Sequence, residues 1–99
     1  MTPGERAYVD RRNLILASLR VAQEISRLQA AMAVRAELPS AIEQDVPAEE
    51  VIQRLVAVND AGREEVDAYN SLVAAMKAYF DAGHVASRST WDALRKGSQ

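Results

Sequence analysis

The sequence predicts an all-α fold: a long antiparallel two-helix hairpin, coiled-coil-like, with a short C-terminal third helix, oligomerising into a bundle. Three observations predict it. Apolar residues recur at alternating spacings of three and four over most of the 99 residues. Proline and glycine fall almost only where a helix would start or stop. Alanine supplies much of the apolar content, with one Phe and one Trp, so helix interfaces are thin and one hairpin cannot cover its own apolar surface.

Helix one is expected over about residues 3–36. Thr2 stands at the cap, Pro3 where a missing N–H costs nothing, and Glu5 where it can reach back to the cap. Leu14, Val21, Ile25, Leu28 and Met32 form its stripe, with Ser18 as the polar member, and Ile15, Leu16, Leu19 and Ala22 widen it. Arg20, Glu24 and Arg27 stand four and three apart, where they can pair. Leu38-Pro39 stops the helix, because proline disfavours helical geometry in the residue before it.

A loop over residues 37–46 reverses the chain, with Ser40 to Glu43 forming one short turn. Asp45-Val46-Pro47-Ala48-Glu49-Glu50 restarts it as a helix, with acids in the first turn where the macrodipole favours them. This second helix is expected over about 47–82. Its seam reads Ile52, Leu55, Asn59, Gly62, Val66, Tyr69, Val73, Met76, Phe80. Asn59-Asp60-Ala61-Gly62 alone has the form of a turn, which would give two shorter helices. The seam keeps its phase across the site, which favours continuity, with Gly62 admitting a facing backbone. Gly83 suits the position just past a helix end. Ser89-Thr90-Trp91-Asp92 reads as a cap opening a short third helix over about 90–96. Two helices of roughly 35 residues would each run about 50 Å.

Composition narrows the function classes. There is no cysteine, so thiolate chemistry and disulfides are excluded. No run approaches the roughly 18 apolar residues of a membrane span, and Thr2-Pro3-Gly4-Glu5 is not a signal-peptide start, so a cytoplasmic protein is expected. Residues 1–36 carry six bases and three acids, residues 37–67 two bases and nine acids, and the remainder four bases and two acids. The central acidic block argues against nucleic-acid binding, which wants a contiguous basic face. Arg6, Arg11 and Arg12 make the one small basic patch that a DNA-binding regulator would use, without a helix-turn-helix beside it.

Candidate chemistry is sparse. His84 is the only histidine and stands beside a helix end that favours a cation. Glu49-Glu50 and Glu64-Glu65 are adjacent pairs, and neighbours on a helix diverge by about 100°, too far to share a proton. No phosphate loop, nucleophile elbow, E-x-x-H pair or zinc spacing occurs, so no catalytic residue, metal or cofactor is assigned. Asp60-Ala61-Gly62-Arg63-Glu64 has the D-x-x-R-E spacing, and over those five residues it resembles the active-site pattern of the small all-helical chorismate mutases. That family is similar in length, has a long first helix and dimerises through helices, so the resemblance implies a site for a dicarboxylate. The family also needs a lysine upstream of this motif, and no lysine precedes Lys77. The residues themselves point to a non-enzymatic assembly protein, of bacterial or phage type by its arginine and alanine usage. It would act through a protein partner or as a homo-oligomer, and the surface left over by the hairpin is Ile15, Leu16, Leu19, Val51, Val56, Val58 and Leu72.

Overall fold

The computed structural model describes residues 1–40 and 45–97 and contains two helices, α1 (Pro3–Glu37) and α2 (Ala48–Gly97). They pack side by side and antiparallel as a rod of 80 × 16 × 14 Å. The helix ends follow local chemistry. Thr2 is extended, and its hydroxyl accepts a hydrogen bond from the Glu5 N–H at 3.1 Å, with Pro3 entering the first turn. Leu38 is extended (φ −70°, ψ 136°), as the residue before Pro39 must be, and its N–H donates to the Arg35 carbonyl at 3.3 Å. Asp45 takes the left-handed conformation (φ 66°), which Asp tolerates better than most residues. The Pro47 carbonyl then accepts from the N–H groups of Glu50 and Val51 and opens α2. The short turn expected over Ser40 to Glu43 falls largely outside the described residues.

The second helix is continuous through Asn59 and Gly62. It is also longer than expected, at 50 residues against 35 for α1. The predicted stop at Gly83 and the separate third helix over 90–96 are corrected: α2 runs unbroken through both. The reason is tertiary. Ala75, Ala82, Ala86 and Ser89 keep their spacing toward α1 across Gly83, and a Cβ at Gly83 would lie 3.8 Å from the Leu14 Cδ1. Packing against α1 outweighs the roughly 1 kcal/mol that glycine costs inside a helix. The two expected capping hydroxyls serve other partners. Ser89 donates to the Asp10 carboxylate on α1, and Thr90 donates to the Ala86 carbonyl one turn back at 2.8 Å.

The register follows from cross-helix contacts: Asp10 with Ser89, Arg27 with Ser71, Arg35 with Glu65. All of α1 is therefore matched by α2 from about residue 60 onward. The first three turns of α2 reach beyond α1 and lie beside Leu38 and Pro39. Arg54 ties this end down by donating to the Ser40 carbonyl at 2.7 Å and to Glu50 at 2.8 Å.

The seam itself is the main departure from expectation. Among the described residues the most buried are Ala31, Ala68, Ala75, Ala86 and Ser89, and no large side chain is fully enclosed. On α2 the row facing α1 is Ala61, Ala68, Ala75, Ala82 and Ser89, spaced by seven, flanked by Glu65, Leu72 and Ala86. On α1 it is Ala17, Glu24 and Ala31, flanked by Leu14, Val21 and Leu28. Leu14, Val21 and Leu28 take their expected places, whereas Ile25 and Met32 are 41% and 50% exposed. The whole expected α2 seam is one residue out of phase. Small residues let the two backbones approach closely, and the larger apolar row is left facing outward.

Candidate interaction surface

One residue forward along a helix turns a side chain by about 100°. The outward row of α2 is therefore one residue on from the seam: Ile52, Leu55, Asn59, Gly62, Val66, Tyr69, Val73, Met76 and Phe80. Its apolar members are 41–61% exposed. The matching row on α1 follows its own seam by one residue and includes Ile15, Ser18, Ala22, Ile25, Gln29 and Met32. Because the helices run in opposite directions, the two rotations bring both rows to the same side of the hairpin. Leu28 and Met32 of α1 indeed share one groove with Val58, Gly62, Val66 and Tyr69 of α2. Arg35 and Glu65 bridge the helices along this groove at 2.8 Å. Hydrogen bonding to Glu65, and then its charge, raises the Arg35 guanidinium above its usual pKa. A side chain at Gly62 would meet nothing within 4 Å. The facing backbone that the sequence leads one to expect there is not supplied by this hairpin.

The opposite side carries the charged pairs, with Val34 exposed beside them. Arg27 donates from Nε and Nη2 to Glu64 Oε1 at 3.2 and 3.1 Å, and from Nη1 to the Ser71 hydroxyl at 3.1 Å. Arg20 pairs with Glu24 at 3.3 Å. The Glu24 side chain is 12% exposed, and its Oε2 has only the Arg27 guanidinium at 3.8 Å, an ion-pair distance too long for a hydrogen bond. Ion pairs on so open a surface fix register more than they add stability, each contributing about 0–1 kcal/mol.

The residues read from the sequence as surplus divide in two. Val51 and Leu72 are half-buried along the seam, and Val58 lies at its edge with 38% exposed. Ile15, Leu16, Leu19 and Val56 are exposed at 52–56%. Ile15 belongs to the apolar side just described. The row Ile52 to Phe80, read from the sequence as buried, is the larger part of that surface. The missed signal was the seven-residue ladder of alanines in the adjacent row.

No chemistry converges on any side. His84 is exposed, and no group of three or more His, Asp or Glu residues capable of holding a metal occurs among the described residues. Of the D-x-x-R-E residues, Glu64 is bound to Arg27 on the polar side, while Asp60 and Arg63 are exposed. No described helix is long and apolar enough to cross a membrane. The chain matches no family model, no curated protein and no solved structure.

Proposed function

We propose that this protein is a non-enzymatic helical assembly protein that acts through protein–protein contact at the apolar side of the hairpin. The observation that carries the proposal is an inverted distribution of apolar side chains. The interior holds alanines, and the larger apolar row from Ile52 to Phe80 is turned outward along nearly half the rod. A compact monomer of 10.9 kDa exposes about 5,600 Å² by the usual scaling. This chain exposes 7667 Å². The surplus, about 2,100 Å², reflects both an elongated shape and an unfinished core. A contiguous outward apolar row of this kind marks an interaction site, and so thin an interior supplies little stability of its own.

Light scattering tests this reading. The purified chain is expected to scatter above its monomer mass. The variant Val66→Ser/Val73→Ser is expected to fall back toward 10.9 kDa. A wild-type protein that stays monomeric at every concentration and still melts cooperatively would overturn the proposal, because the hairpin would then need nothing to cover it.

A further inference from the structure

We propose that a second copy of this chain covers the apolar side, running antiparallel to the first, so that α2 of each copy packs along α2 of the other about a two-fold axis near Val66. This rests on reading that side as an interface and names its occupant and orientation. Three observations carry it.

The first is area. A specific interface removes about 800 Å² from each partner at standard size, and obligate dimers remove more. The row from Ile52 to Phe80 runs about 42 Å at 1.5 Å per residue, with apolar members 41–61% exposed, long enough to seat one such contact. Past Phe80 the outward row passes Gly83, Ser87 and Thr90, beside Arg11 of α1, before apolar side chains return at Trp91 and Leu94. The contact is centred on the apolar run of residues 52–80, whose midpoint is Val66.

The second is charge. The Arg27–Ser71 hydrogen bond marks one transverse level of the rod. Residues 28–71, on the loop side of it, carry nine acids and three bases, a net of −6. The remaining residues, on the side of the two termini, carry five acids and nine bases, a net of +4. An antiparallel pair sets the negative half of each copy beside the positive half of the other. A parallel pair sets like against like, which complementary interfaces avoid. No other partner is required to supply the matching charge; the chain carries both poles.

The third is shape. A two-fold axis at Val66 places residues of α2 opposite one another when their numbers sum to about 132. Ile52 then meets the second copy's Phe80, and Leu55 meets the second copy's Met76. Gly62, with open space where a side chain would be, falls opposite the second copy's Tyr69. Asn59 falls opposite an apolar Val73. Each thin or polar level is thereby matched with a bulky one. A parallel two-fold would instead set α2 over the second copy's α1 and lose these pairings. An isologous contact of this kind is the commonest route to closed assembly.

The chain has no cysteine, so single-cysteine variants carry one spin label each. Gln53 and Asn70 are exposed and uncharged, so Gln53→Cys and Asn70→Cys leave the poles intact. They lie 13 and 4 residues from Val66. At 1.5 Å per residue, the two copies' labels are offset along the axis by about 39 Å at position 53 and about 12 Å at position 70. Pulsed electron–electron resonance is expected to give a 53–53 distance longer than the 70–70 distance by more than about 20 Å. The additional change Val66→Asp is expected to abolish both pair signals, and with them the cooperative melt. Equal distances at the two sites would overturn the antiparallel arrangement while leaving the interface intact. A monomer without pair signal would also overturn it. If that monomer melts without cooperativity, the apolar side serves a different protein. A cooperative melt would remove the interface reading as well.

Discussion

Replacing Ala68 with leucine tests the closeness of the alanine seam. Ala68 is 0% exposed, the most enclosed residue of the chain, and lies midway along the ladder from Ala61 to Ser89. Leucine adds three carbons. If the seam had room, burying them would stabilise by about 2.4 kcal/mol, at roughly 0.8 kcal/mol per methylene. If the backbones are held as close as an alanine ladder requires, the same carbons must push α1 away or adopt strained rotamers. Overpacking of this kind typically costs about 1–3 kcal/mol. The two cases differ in sign, so the experiment does not depend on an accurate magnitude. Circular dichroism melts at fixed protein concentration should show a lower midpoint for Ala68→Leu, by roughly 4–8 °C per kcal/mol for a domain of this size. Ala74→Leu provides the control. Ala74 is exposed, one position before the seam residue Ala75, and its change should stay within about 0.5 kcal/mol. A higher midpoint for Ala68→Leu would refute the close seam and, with it, the reason the larger row faces outward.

Further predictions concern the ends, the glycine and the charges. Ser89→Ala should cost about 1–2 kcal/mol, because it leaves the Asp10 carboxylate without its donor at a part-buried site; faster amide hydrogen exchange near both termini would report it. Gly62→Ala should stabilise an isolated hairpin by up to about 1 kcal/mol, since Gly62 is helical and nothing lies within 4 Å of the added carbon. A loss in the melting midpoint would mean that another chain already occupies that space. The rate of association should fall as salt rises from roughly 0.05 to 0.5 M, because exposed charges are screened over about 10 Å at 0.1 M. A rate that is flat or rises with salt would mean that the two poles do not steer the encounter.

The two helices and their caps at Thr2, Pro39 and Pro47 were legible because each rests on local chemistry within a few residues. Phase was not. Two rows on α2 both alternate three and four, one of large apolar residues and one of small, and periodicity alone does not say which faces the neighbouring helix. Choosing the larger row assumes that one hairpin buries as much as it can. Here α1 matches alanines to alanines, and Glu24, a charged residue, occupies a seam position. Gly83 was misread for a related reason. A helix stop is a local preference of about 1 kcal/mol, whereas the contact of Gly83 with Leu14 is made across the hairpin. The excess of apolar surface was legible from composition, but its place on the molecule depended on the phase.

The central claim is that the hairpin is incomplete until its outward apolar row is covered. The dependence of the thermal midpoint on protein concentration tests it most directly. Folding coupled to association is stabilised by mass action, so the midpoint should climb steadily as the chain is concentrated, and the transition should sharpen. A cooperative transition at the same temperature across dilution would contradict the claim, because the alanine seam alone would then be holding the fold together.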